Sequence, residues 1–306
     1  MADKKQLKSY VDSMIQAADI VKRENPDYLV APMLGSVPLI DGMATASNDF
    51  DPSKVVYMPA SSRVENVNEV IRNWYSNFLN GVVNATWGVY PKIMGIDEVV
   101  SGQSVMRCMN IIDIVVGRKK REIEQLWIDK VHSREKDESI RALGEIDSLT
   151  NNQYALEFSK IRNQVLAGIY FEDRELLKKD SQFVVGVLRQ ALESELIYRT
   201  IGIEDSKKQG SRNNVYEQRK SEGRIFPVSV DTILTMDDPR FCPAKFKELH
   251  PESSKEHVLF SPHIQNFEVS PEYINFLKDI ANYVGKNPNE VHPVNMVAIL
   301  DSAKYL

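Results

Sequence analysis

The sequence predicts an α/β fold: a doubly wound parallel sheet, interrupted by a helical insertion and followed by a C-terminal extension. Three observations carry that prediction. Over residues 1–117, short apolar runs alternate with segments of helical period, the pattern of strand–helix–strand units. Residues 118–198 then contain no proline and almost no strand signal. Strand character returns over 199–235, before a last stretch, 236–306, punctuated by Pro239, Pro243, Pro251 and Pro262.

The first helix is read from Leu7, Tyr10, Val11, Met14, Ile15, Ala18 and Val21, with Pro26 marking its end. Tyr28–Pro32 is a short apolar strand, turning at Leu34-Gly35-Ser36 into a second helix expected to start near Pro38. Val55–Met58 is the second strand, followed by the polar loop Ala60–Arg63. A helix through Val70, Ile71, Trp74, Phe78 and Leu79 is expected to be interrupted around Asn80-Gly81. Lys92–Ile96 is the third strand, and a Ser-Gly turn feeds an apolar helix from about Ser104 to Val116.

Residues 118–198 carry apolar positions at helical spacing, from Ile123, Leu126 and Trp127 to Ile161, Val165 and Ile169. They predict two to four helices, broken near Ser148–Asn152 and near Glu172-Asp173. The basic run Arg118-Lys119-Lys120-Arg121 reads as the solvated last turn of a helix, where cations suit the dipole. Thr200–Ile203 and Arg224–Val228 are later strands, joined by a polar loop from Glu204 to Gly223. Helices around Tyr273–Val284 and Pro293–Tyr305 close the chain.

Composition narrows the function classes. A net charge of −5 argues against a surface built mainly for nucleic acid. Met1–Lys5 leads into a mixed polar pattern rather than an apolar signal core, and no stretch approaches the roughly 20 apolar residues of a membrane span. A cytoplasmic location and no membrane partner are therefore expected. Cys108 and Cys242 are too few for a disulfide framework or a four-thiolate zinc site. The five histidines lack metal-ligand spacing, so no protein metal site is assigned. There is no G-x-x-x-x-G-K-[ST] and no G-x-G-x-x-G, which counts against nucleotide kinases and dinucleotide enzymes.

One segment carries chemistry. Ile93–Ile96 is a strand, Asp97 and Glu98 are acids at its carboxyl end, and Val99-Val100-Ser101-Gly102-Gln103-Ser104 is a short turn opening a helix. A phosphate needs several N–H groups pointing at it, which a Ser/Gly turn at a helix N-terminus supplies. Ribose hydroxyls need acceptors, which a carboxylate at a strand's carboxyl end offers, in the crevice of a doubly wound sheet. The bland alternative is an ordinary strand-to-helix turn with an N-capping serine.

Ile93–Ser104 resembles the signature of type I phosphoribosyltransferases: an apolar strand, acidic residues, then a Ser/Thr-Gly-x-Ser/Thr loop. Val30–Pro38, with Leu34, Gly35 and Ser36 at its turn, resembles the family's first strand and pyrophosphate loop. Val55–Arg63 is similar in placement to the strand and mobile loop that close over the site, and Ile201–Asp205 to a later core strand whose following loop meets the acceptor. The resemblance implies a phosphoribosyltransferase-like fold that takes phosphoribosyl pyrophosphate and transfers ribose 5-phosphate to a nitrogenous base or related acceptor.

It also implies roles. Asp97 would act at the ribose, with Arg63 meeting the pyrophosphate as the loop closes. Glu98 to Ser104 would line the sugar phosphate, and Leu34–Ser36 the leaving group. Glu204 and Asp205 would face the acceptor. Mg²⁺ would be held mainly through the substrate pyrophosphate. Two alignments fit. With Gly102 on the family's loop glycine, Asp97 takes the second acidic position and Ile96 replaces the first. Alternatively Asp97-Glu98 is the acidic pair and the loop is one residue shorter. The first keeps the turn length and is preferred. Ile96 in an acidic position motivates a rival reading, a non-catalytic sensor of the same ligand. A third reading keeps similarity at fold level only. Self-association through residues 118–198 is expected from their apolar stripes.

Overall fold

In the computed structural model the described residues are 4–33, 35–60, 66–83, 91–133, 135–149, 162–164, 166–167, 186, 196–234, 238–241, 269–293 and 305. They form an α/β structure around five parallel strands: β1 (Tyr28–Pro32), β2 (Val55–Met58), β3 (Ile93–Val99), β4 (Arg199–Asp205) and β5 (Ile225–Val230). Their order across the sheet is β2-β1-β3-β4-β5. The chain steps from β1 outward to β2, then returns across β1 to β3 and continues the other way. The carboxyl ends of β1 and β3 thus flank the switch point, where open parallel sheets form their ligand crevice.

Both faces of the sheet are covered, as parallel strands require. Alternate residues Leu29, Ala31, Met94, Ile96, Ile201 and Ile203 join a buried core with α1 (Lys4–Glu24), α2 (Ser36–Ala46) and a late helix, α7 (Pro271–Tyr283). Gly95 and Gly202 point to the opposite face, against the hydroxyls of Tyr198 and Tyr216. Tyr10, Met14 and Ala17 put the apolar stripe of α1 into the core. That helix stops where Asn25 takes a left-handed φ of 44° and donates back to the Val21 carbonyl. Tyr273, Phe276 and Leu277 of α7 belong to the same core, so this part of the expected extension supplies a core helix.

Several boundaries differ from expectation. The helix α2 begins at Ser36, two residues before Pro38. The helix α3 (Val67–Val82) runs through Asn80-Gly81, because its ladder continues to the Val83 N–H on the Leu79 carbonyl. The helix α4 starts at Gln103 and extends to Val131, so the basic run at 118–121 lies within it rather than in its last turn. Lys119 there donates to Asn80 and pairs with Glu122. The helix α5 (Lys136–Leu149) follows. The expected loop from Glu204 to Gly223 contains a 3₁₀ segment, Ser206–Ser211, and a helix, α6 (Asn214–Ser221).

The chain divides into two compact units. One comprises Met1–Phe78, Lys92–Ile112 and Tyr198–Leu306; the other comprises Leu79–Pro91 and Asp113–Ile197. Of the break expected near Ser148–Asn152, Ser148 and Leu149 belong to α5. Residues 150–152, the break expected near Glu172-Asp173 and the closing helix from Pro293 lie outside the described residues, apart from Pro293 and Tyr305.

Candidate functional site

The turn after β1 and the acids of β3 come together at the switch point. Ser36 is fully buried in the first turn of α2 and donates its hydroxyl to the Ile96 carbonyl at 2.9 Å. The Ser36 hydroxyl also lies 3.4 Å from Asp97 Oδ1, which accepts from it. Gly35 precedes Ser36, and a Cβ there would sit 2.8 Å from the carboxyl carbon of Glu98. A larger residue at position 35 would therefore displace the Glu98 carboxyl. Leu34 lies outside the described residues, as does Arg63.

Asp97, Glu98 and Val99, expected beyond the strand, are its last three residues. The ladder extends because β4 itself runs on, pairing Asp97 with Gly202, Glu98 with Ile203 and Val99 with Glu204. The pleat sends the side chains of Asp97 and Glu98 to opposite faces of the sheet. Glu98 reaches toward Gly35 and adds its charge to the burial that raises the Tyr10 phenol, while Asp97 faces Ser104 and Arg107 on α4.

These carboxyls are poorly solvated. Asp97 is 5% exposed; its Oδ1 accepts the Glu98 N–H at 2.9 Å, but Oδ2 is buried with no hydrogen-bond partner. Oε2 of Glu98 is likewise buried and unpartnered. Burial pushes Asp97 up to about 7, opposed by the Glu98 amide, the Ser104 and Ser36 hydroxyls and the Arg107 charge. Burial, and then the Asp97 charge, push Glu98 up to about 8. Each group is thus poised to bind hydroxyl donors when ionised, or to donate when protonated.

The turn follows at once. Val99 is buried, Val100 and Ser101 are half-buried, and Gly102 takes φ 77°, a left-handed conformation that glycine adopts without a side-chain penalty. Ser101 Oγ accepts the Gln103 N–H at 3.4 Å, and the helical ladder opens with Met106 N–H on the Gly102 carbonyl at 3.0 Å. The N–H groups of Ser104 and Val105 have no carbonyl within the helix, as in any first turn. Gln103 and Ser104 are exposed there.

Glu204 and Asp205 are instead committed to the protein. They are the last residues of β4, not a loop. Glu204 accepts from Tyr216 at 2.9 Å and pairs with Lys220 at 2.9 Å and Arg212 at 2.8 Å. Asp205 caps the following 3₁₀ segment through the Lys207 N–H and accepts from the Ile233 N–H. Their oxygens are thus engaged within the protein, Glu204 by three side chains and Asp205 by two backbone N–H groups.

Three residues escaped the sequence reading. Arg107, in the second turn of α4, donates to the Ala60 carbonyl at 2.9 Å, and its buried Nε has no hydrogen-bond partner. The signal was a single cation inside the apolar run Val105–Met109. Tyr216 and Arg212 hold Glu204, and no local pattern marks either.

Among the described residues no group of three or more His, Cys, Asp or Glu is placed to hold a metal ion. Asp97 and Glu98 point to opposite faces, so they do not form one chelating set. No described helix is long and apolar enough to cross a membrane. No protein-family model, curated protein or solved structure matches the chain.

Proposed function

We propose that the chain is a phosphoribosyltransferase-like enzyme that binds phosphoribosyl pyrophosphate and transfers ribose 5-phosphate to a nitrogenous base or related acceptor, releasing pyrophosphate. One observation carries the reading. The buried, unpartnered oxygens of Asp97 and Glu98 and the left-handed Gly102 turn that opens α4 meet at the switch point of a five-stranded parallel sheet. Unpaired acceptors suit ribose hydroxyls, and first-turn N–H groups with the α4 dipole suit the 5-phosphate. A sugar phosphate satisfies both at once.

In this reading the reaction is substitution at the anomeric carbon through an oxocarbenium-like state. Ionised Asp97 holds a ribose hydroxyl and sets its negative charge near the developing cation. Backbone amides around Gly35 and Ser36 face the leaving group, since the Ser36 hydroxyl is already given to Ile96. Arg63 would meet the pyrophosphate from the loop after β2. Mg²⁺, held by substrate oxygens and water, would neutralise the leaving group.

The sensor reading has its own support: Ile96, at the position of the family's first acid in the preferred alignment, is a wholly buried core residue. Two measurements divide the readings. Isothermal titration with phosphoribosyl pyrophosphate and Mg²⁺ should show binding that Asp97→Asn weakens; no binding by the wild type removes both. Pyrophosphate release across a panel of bases should then occur, and binding without any release would leave the sensor.

A further inference from the structure

The Gly102 turn is gripped by a side chain that the proposed reaction does not use. Tyr216, from α6, is fully buried. A Cβ at Gly102 would lie 2.8 Å from its ring Cγ, and a Cβ at Gly202 would lie 2.5 Å from its hydroxyl. One aromatic ring therefore fills the space over two glycines, one in the turn and one in β4. Its hydroxyl is anchored on Glu204 at 2.9 Å, and Lys220 and Arg212 fix that carboxylate in turn. The Asn213 N–H, just before α6, donates to the Ser101 carbonyl at 3.0 Å, a second tie to the same turn.

The grip answers a physical need. Glycine reaches φ 77° without strain, but it reaches negative φ about as readily, so glycine alone does not keep a turn left-handed. A rigid ring against the Gly102 Cα removes the alternative. The direction of the first α4 amides depends on that peptide, because Met106 N–H on the Gly102 carbonyl starts the ladder.

We propose that Tyr216 is a positioning residue for the phosphate-binding turn: its ring, packed against Gly102, locks that glycine left-handed and so fixes the first-turn amides of α4 on the sugar phosphate. This rests on the functional reading above. Tyr216→Phe keeps the ring and loses the anchor, whereas Tyr216→Ala loses both.

The test uses the full chain and two readouts. In hydrogen exchange without ligand, the amides of residues 101–106 should exchange about tenfold faster in Tyr216→Ala, with β1 unchanged, and Tyr216→Phe should lie near wild type. In titration, affinity for ribose 5-phosphate should fall about tenfold in Tyr216→Ala and be largely retained in Tyr216→Phe. Unchanged exchange at 101–106 overturns the proposal whatever the titration gives. Faster exchange with undiminished ribose 5-phosphate affinity overturns it too. If the wild type binds no ribose 5-phosphate, the functional reading falls, and the ligand half of this proposal with it. Should Tyr216→Ala not fold, Tyr216→Leu carries the same comparisons.

Discussion

Asp97→Asn should stabilise the protein increasingly as the pH rises. The Asp97 carboxyl sits at about 7 in the fold against an ordinary value of 3.8. Between those values the folded chain holds a proton that the unfolded chain has lost, so stability falls with rising pH. At ~1.4 kcal/mol per tenfold change in proton affinity, the full penalty is roughly 4 kcal/mol, reached above pH 7. Asparagine keeps an acceptor for the Glu98 N–H, but it places an amide N–H₂ where Oδ2 now has no partner, which costs about 1–3 kcal/mol. That cost does not vary with pH. The difference in unfolding free energy between variant and wild type should therefore grow by roughly 3 kcal/mol from pH 5 to pH 8. Urea midpoints at matched pH values measure it; groups remote from Asp97 cancel in the difference, and Glu98, which the Asp97 charge raises, is removed from it by making the comparison in a Glu98→Gln background. A difference that stays flat, or shrinks as pH rises, refutes the account of Asp97 as a desolvated acid.

Other consequences are equally direct. Gly102→Ala and Gly223→Ala both force alanine to a positive φ, 77° and 71°, but only at 102 does the new methyl meet a neighbour. The first should lose about 2–4 kcal/mol and the second about 1 kcal/mol by urea denaturation; equal losses would show that the Tyr216 ring does not press on the turn. Glu98, at about 8, is mostly neutral at pH 7, and its ionisation would set a negative charge beside the bound pyrophosphate. Affinity for phosphoribosyl pyrophosphate should fall roughly tenfold from pH 7 to pH 9 in the wild type and less in Glu98→Gln; parallel profiles would remove Glu98 from the site. Light scattering should give a mass above that of one 34.9 kDa chain if the 118–198 helices associate, and a strictly monomeric mass counts against it.

Much of the fold was legible because its signals were local. The bounds of β1 and β2 match their apolar runs, since each is short, uniformly apolar and closed by a proline or a polar turn. The strand β3 was read three residues short. Two acids end its apolar run, yet pairing with β4 carries the ladder through them, and that partner lies a hundred residues away in the chain. The helix α6 went unseen because it buries one side chain, Tyr216, and so has no apolar stripe to show a helical period. The site shows the same division. Gly35, Ser36, Asp97 and Glu98 converge because each sits at a strand end that the topology brings to one place. Glu204 and Asp205 carry the same local signature, acids ending a strand. What separates them is tertiary: Arg212, Tyr216 and Lys220 converge on Glu204, and the chain after β5 closes on Asp205.

The two alignments of the acidic segment also look different once the strand is seen to run through it. The second alignment has Asp97 and Glu98 act as a pair at one place. They do not, because the pleat sends them to opposite faces of the sheet. Asp97 lies on the face of α4 and the Gly102 turn, and Glu98 lies on the face of α2, pressed against Gly35. A sugar whose phosphate rests on the α4 turn is therefore near Asp97, and whatever leaves its anomeric carbon toward the β1 turn passes Glu98. On that geometry Ile96 is less a missing catalytic acid than a core residue. It shares the Glu98 face, one pleat deeper, where an acid would sit in the apolar core formed by α1 and α2. Under the proposed function the division of labour would fall on Asp97 for the sugar and Glu98 for the leaving-group side, and the pH profiles of phosphoribosyl pyrophosphate affinity in Asp97→Asn and Glu98→Gln would differ accordingly.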